Sequence, residues 1–185
     1  SLLDIASGAT RKVSGLPARV QIADMAWSAD ERWLAFSCWG KTGVELWLLN
    51  VKTASAHKLI SEHLNAVTSA GFSWVSGDDQ ADQLLVRLLP RTQKNAPREG
   101  LVAVGPHTQE TRGGRLAQTR TYPDLLRNPL DADMLDWQLQ SQLAMVTVHG
   151  NVRRFGPVMN LTKALASPDA KWILTTQIKR PYSYQ

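Results

Sequence analysis

Residues 27–36 read WSADERWLAF, and residues 166–175 read ASPDAKWILT. Each writes the end of one apolar segment, a turn opened by Ser and Asp, and at once a second apolar segment. Ser and Asp side chains bond backbone amides two residues on, and Pro168 pre-sets the turn in the later copy. A weaker copy, WVSGDDQADQLLV, lies between them at 74–86. Short apolar runs such as WLAFS, QLLVR and WILTT, each following such a turn, predict antiparallel hairpins.

A second set recurs in the same order. LLDIASGATRKV at 2–13, LWLLNVKTASAHKL at 46–59 and LAMVTVHGNVRRF at 143–155 each give an apolar strand, a polar turn and a basic-flanked strand. Gly8 and Gly150 stand where the turn wants a residue tolerant of positive φ, and Ala54 replaces glycine in the middle copy. Trp27 and Trp74 are 47 residues apart and Leu2 and Leu48 are 46 apart, the period of a four-stranded blade. Helical solenoids of similar period need 3.6-spaced apolar stripes, which do not accompany these copies. The predicted fold class is all-β, a partial β-propeller of four-stranded antiparallel blades with a loop and short-helix insertion.

Predicted strands cover roughly 1–5, 9–13, 20–27, 32–38, 44–51, 56–60, 67–75, 83–89, 141–148, 152–155, 163–167 and 171–178. They divide the chain into the end of a blade at 1–15, a blade at 16–62, a blade at 63–157 and the start of a further blade at 158–185. Three blades' worth of strands does not close a ring, which predicts a segment of a longer polypeptide with sheet edges free to self-associate. Trp27, Trp33, Trp47, Trp74 and Trp172 are predicted to fill the space between blades.

Between Val86 and Gln142 the period is broken by an insertion at about 90–140. Insertions of this length usually serve a function. Its first half is rich in Gly, Pro and polar residues; in its second half Asn128 and Pro129 make an N-cap and first-turn pair, predicting a helix at 129–138. Asp131, Asp133 and Asp136 cluster at its start, where carboxylates favour the positive end of the dipole, and are expected to cap it. The basic stretch VRLLPRTQKNAPR at 86–98 reads as a solvated loop.

The insertion text GPHTQETRGGRLAQTRTYPDLLRNPLDADMLDWQLQSQLAMVTVHG, with SPDAKWILTTQIKRPYSYQ after it, resembles the propeller of glutamyl endopeptidase-type members of the prolyl oligopeptidase family of serine peptidases. The matching residues include Gly105, Pro106, Gln109, Glu110, Arg120, Thr121, Tyr122, Asp124, Asn128, Pro129, Arg180, Pro181, Tyr182, Ser183 and Tyr184. This resemblance implies a propeller that covers a hydrolase active site and limits entry to peptides small enough to reach it. It also implies an α/β-hydrolase domain C-terminal to residue 185, carrying the Ser-His-Asp triad. Cleavage after Glu would call for a cation to receive the substrate carboxylate, and Arg120, Tyr122 and Arg127 are the substrate-channel candidates.

The chain itself writes no G-x-S-x-G nucleophile elbow; its nearest text is GFSWV at 71–75, which lacks the second glycine. No catalytic residue, cofactor site or metal site is assigned within it. His57, His63, His107 and His149 have no metal-ligand spacing. The single cysteine, Cys38, excludes an internal disulfide framework and reads as a buried filler in AFSCWG. Of 185 residues, 43% are hydrophobic and 20% charged, enough to bury a core, and no apolar run is long enough to span a membrane. The net charge of +5 is spread in pairs rather than a stripe, which speaks against nucleic acid. The sequence leaves the compartment open, with the periplasm or the exterior favoured for a bacterial chain. Expected partners are peptide substrates and the hydrolase domain. The alternative is a non-enzymatic propeller scaffold of the Tol-associated type, which shares the W-S-x-D text but accounts for neither the insertion nor RPYSYQ.

Overall fold

The computed structural model describes residues 1–75, 83–98, 126 and 128–182. Its two Ser–Asp turns close with the same set of hydrogen bonds. At the first, Ser28 Oγ accepts from the Trp33 amide at 3.0 Å while the Ser28 amide donates to the Trp33 carbonyl at 2.9 Å. The Asp30 carboxylate accepts from the Arg32 amide at 3.1 Å and from the Ser28 hydroxyl at 2.6 Å. At the second, Ser167 and Trp172 repeat the first pair at 3.0 and 2.8 Å, and Asp169 accepts from the Lys171 amide at 3.2 Å and from the Ser167 hydroxyl at 2.5 Å. Glu31 and Ala170 occupy the same left-handed position, with φ of 60° and 57°. The Ser28 hydroxyl first, then the Arg32 guanidinium, hold the Asp30 carboxyl down to about 2.

Hairpins built on such turns line up as one antiparallel sheet. The strands are β1 Leu2–Leu3, β2 Thr10–Arg11, β3 Ile22–Trp27, β4 Trp33–Trp39, β5 Val44–Asn50, β6 Ser55–Leu64, β7 Phe72–Trp74, β8 Gln83–Leu88, β9 Gln140–Thr147, β10 Val152–Ala166 and β11 Ile173–Gln177. The one helix among the described residues is α1, Pro129–Leu139. β1 and β2 pair separately; the others form a nine-stranded sheet ordered β11-β10-β9-β8-β6-β5-β4-β3, with β7 paired to β8. This is the predicted all-β, partial propeller: β3 to β6 are four consecutive antiparallel neighbours, and β7 to β10 repeat the pattern.

Curling of the sheet places both faces in apolar contact. The main core joins Ala35, Leu46, Leu48, Leu59 and Leu64 of the first four strands to Leu84, Val86, Leu88, Ala144 and Val146 of the second four. Trp33 and Trp74 pack against it, and the Trp74 indole donates to the Ala26 carbonyl at 2.9 Å, so β7 is tied to β3. On the outer faces, Phe36, Leu49 and Ala56 are covered by Leu2, Val13, Leu16 and Val20, while Leu85, Leu143 and Leu161 pack with Phe155 and Ile173. Cys38 is buried, as the apolar strand around it predicts.

Several readings need correction. The segments 152–155 and 163–167 are parts of a single strand, β10, which pairs β9 along its first half and β11 along its second. Register slips between Phe155 and Met159 and between Leu161 and Lys163 let one strand turn between two partners, as bulges do. Trp27 and Trp172 are 52% and 75% exposed, because they lie on the outermost strand β3 and just before the outermost strand β11, with no neighbouring strand among the described residues to cover them. Arg87 does not belong to a solvated loop. It is 3% exposed in β8, and its guanidinium donates to Leu161 O (3.1 Å), Thr162 O (2.9 Å), Thr68 Oγ1 (2.9 Å) and Ser69 Oγ (2.7 Å). These neutral oxygens make burial of the charge tolerable, although burial pushes its pKa down.

Gly150 at φ 81° and Ala54 at φ 51° share the left-handed conformation, so the alanine meets the turn's demand at a steric cost. Replacing Ala54 with Gly is expected to raise stability by about 1 kcal/mol, and Gly150→Ala to lower it by more, since its Cβ would also stand 2.8 Å from the Leu59 carbonyl. Urea midpoints check both signs. Arg87→Met strands two strand carbonyls and is expected to cost about 3 kcal/mol, with Arg87→Lys intermediate; a loss below about 0.5 kcal/mol for the Met variant would contradict the bridging role.

Candidate functional site

The insertion leaves the sheet after Leu88 and returns through α1 into β9. Asn128 caps α1 by accepting the Asp131 amide at 2.9 Å, and Pro129 occupies the first turn, where its missing N–H costs nothing. Only Ala132 and Leu139 of the helix are buried, so apolar packing alone does not fix its orientation. Polar contacts hold its C-terminal end. Buried Asn65, at the end of β6, donates to Gln138 O at 2.7 Å and Gln140 O at 2.9 Å, satisfying carbonyls where α1 passes into β9. The Trp137 indole donates to Lys94 O and Gln93 Nε2 to Trp137 O, both at 2.7 Å, tying the outgoing stem to the returning one.

Asp133 and Asp136 do not cap the helix as the sequence suggests. They lie beyond its first turn and three residues apart, which puts both on one face. Arg180 forks between them, with Nε donating to Asp136 Oδ2 at 2.6 Å and Nη2 donating to Asp133 Oδ1. The other oxygen of Asp136 accepts from Asn160 Nδ2 at 2.6 Å and from the Tyr182 hydroxyl. Hydrogen bonds to Asp133 and Asp136 raise the Arg180 pKa, and burial followed by the Asp136 bond raises that of Tyr182. Thus the helix of the insertion and the segment bearing Arg180 and Tyr182, far apart in sequence, meet in one network.

Two concavities flank this network. The larger, about 500 Å³, lies between α1 and the stem at 92–97, bounded by Lys94, Asn95, Trp137, Val158 and Arg180. The smaller, about 330 Å³, lies between the bulged part of β10 and the segment after β11, bounded by Val158, Gln177, Ile178 and Lys179. Asp136, Gln140, Val158 and Arg180 line both. The stem base is held separately. Glu62 pairs with Arg91 at 2.8 Å and lies 3.7 Å from Arg154, and the Arg91 hydrogen bond is the main cause of its lowered pKa.

The channel candidates Arg120, Tyr122 and Arg127 lie outside the described residues, as does His107. Ser73 of GFSWV sits mid-strand in β7, opposite Leu85, rather than at a strand-to-helix turn. Among the described residues, no group of three or more His, Cys, Asp and Glu is placed to hold a metal ion. Sequence reading missed Asn65, Arg87 and the Arg180 network. Only the last left a signal, the three-residue spacing of Asp133 and Asp136 on a predicted helix.

Fold and site together define a segment of a β-propeller that carries a docked helical insertion at one end of its strands. Over 96% of its length the chain is similar, at 33% identity across 188 residues, to a probable chloroplastic glutamyl endopeptidase of Oryza sativa subsp. japonica. A probable chloroplastic glutamyl endopeptidase of Arabidopsis thaliana is 30% identical over 182 residues, covering 94% of the chain. The chain spans 19% and 18% of the lengths of these relatives. No family model matches it. The resemblance carried by the insertion and by RPYSYQ is therefore borne out: the chain is related to a stretch of the glutamyl endopeptidases.

If Asn65 works by donating to two carbonyls, Asn65→Ala is expected to cost about 2 kcal/mol, and Asn65→Asp at least as much, because a carboxylate would face the same oxygens. Urea midpoints of the two variants give the order; a milder Asp than Ala variant would contradict it.

Proposed function

We propose that this chain is a non-catalytic propeller segment of a prolyl oligopeptidase-family serine peptidase, one that screens peptides on their way to a Ser-His-Asp site on an α/β-hydrolase domain C-terminal to residue 185. The observation that carries this reading is similarity along almost the whole chain to proteins named as glutamyl endopeptidases. The sequence writes no G-x-S-x-G elbow, which is compatible with a nucleophile carried outside these residues. Screening suits a propeller with a docked insertion at one end of its strands, since a wall around a reacting centre excludes folded proteins and bulk water together.

Within this reading, the substrate's glutamate carboxylate is received by Arg120 or Arg127, and Tyr122 is the further substrate-channel candidate. Arg180 is poorly suited to that task because two carboxylates already share it. Peptide substrates and the hydrolase domain are then the partners of the segment, and no cofactor is required.

The test is labelling by a fluorophosphonate probe of the longest natural polypeptide that contains this sequence, alongside the 185-residue chain. Labelling of the long form alone supports the proposal; labelling of neither, or of the short chain, overturns it. In the long form, Arg120→Gln or Arg127→Gln is expected to raise KM for Glu-containing peptides by roughly 10- to 100-fold, the scale of a lost charge-assisted hydrogen bond.

A further inference from the structure

We propose that Arg180 and Tyr182 are positioning residues that set the orientation of α1 on the sheet, and with it the width of the two concavities, so that they tune which peptide lengths are admitted. The length-selection half rests on the screening function proposed above; the positioning half stands on geometry alone.

Two other anchors hold the helix, both at its last turn: Asn65 beneath its C-terminus and the reciprocal contact of Trp137 with the outgoing stem. Neither reaches the middle of the helix, whose rotation about the axis they leave to other contacts. That is set by the face bearing Asp133 and Asp136, one helical turn apart, into which a planar guanidinium fits in one way. A lysine would supply the charge but not the fork. Tyr182 and Asn160 fill the remaining oxygen of Asp136, so that carboxylate has three partners whereas Asp133 gains only Arg180 among the bonds described. Arg180 is 45% exposed, and an exposed ion pair adds little to global stability. The network therefore specifies where the helix sits far more than whether the sheet folds.

Val158 shows what a shift of α1 would alter. It lies in the bulged stretch of β10, is 40% exposed, and lines both concavities, with Asp136 and Arg180 also bounding each. The acid–base network is thus the partition between the two spaces, and rotation of α1 widens one at the expense of the other.

The experiment places Arg180→Gln, Arg180→Lys, Asp133→Asn, Asp136→Asn and Tyr182→Phe in the longest natural polypeptide containing this sequence. Hydrogen exchange is followed at 129–139 and, as an internal control, at 140–147. Arg180→Gln and Asp136→Asn are expected to speed exchange in α1 by about tenfold with β9 unchanged, while Asp133→Asn, Tyr182→Phe and Arg180→Lys do so less. Unchanged α1 exchange in Arg180→Gln, or equal acceleration in β9, overturns the positioning role. The second readout is the ratio of kcat/KM for a long peptide to that for a short anilide carrying the same residues around the cleaved bond. A change of about threefold or more in Arg180→Gln, with Arg180→Lys closer to wild type, supports length selection. An equal change for both substrates overturns length selection and would make Arg180 a receptor for the substrate carboxylate. Loss of the screening function itself would be visible separately, as no peptidase activity in the unmodified polypeptide, and the exchange result would still decide whether the helix is held by Arg180.

Discussion

The bond from the Trp33 amide to the Ser28 hydroxyl, repeated between Trp172 and Ser167, is the constraint on which the sheet's geometry depends. A hairpin turn that admits a left-handed residue at one position and no other conformation fixes the register of the strands it joins. Slipping that register by one residue would turn Ala35, Leu46 and Leu48 out of the main core and bring their outward neighbours in. Because both faces of these strands carry buried apolar residues, the apolar pattern alone does not exclude such a slip, and the turn selects one pairing out of several.

Once register is fixed, the remaining problem is the junction between one group of four strands and the next. Hydrophobic contact through Leu64, Leu84 and Leu88 brings the two groups together but is not directional. Direction comes from polar contacts, two that cross the junction and one that pins the connection at 68–69 to β10. Trp74 reaches Ala26 O, Asn65 reaches the carbonyls where α1 meets β9, and Arg87 collects oxygens from the connection at 68–69 and from β10. The acceptors of each belong to a different segment, and for the buried Asn65 and Arg87 misplacement of either segment leaves the donor unpaired in an apolar setting, a cost larger than the net value of the bond itself.

How much of this was legible in sequence follows from the range of each interaction. The Ser–Asp turns, the Asn128–Pro129 helix start and the glycine-like turn around Ala54 are local, and their residues can be read within a window of a few positions. The helix came out within a residue of its reading. Arg87 was read both as the end of the strand run QLLVR and as part of a solvated basic loop; the strand holds, and its burial escaped notice because its partners lie 18 to 75 residues away. Trp27 and Trp172 were misread for a different reason: the repeat correctly identifies equivalent positions, but equivalence in the repeat does not make their neighbours equivalent at the two ends of a sheet. β10 was divided in two because the sequence marks its bulge, Gly156–Pro157, as a break, whereas the backbone bends there and continues.

The insertion follows a logic opposite to that of the sheet. Its helix buries only two residues, so it gains little from the apolar driving force that organises the strands, and it is held by groups whose geometry is exacting but whose energy is small. An element fixed in that manner can be reoriented by changes that leave the sheet intact. Sequence changes in α1, in the stem at 92–97 and in the segment after β11 are therefore coupled to each other through Asp136 and Arg180 and only weakly to the core. That separation lets the walls of the concavities vary without disturbing the register of the strands beneath them, which is what a surface that discriminates among peptides would need.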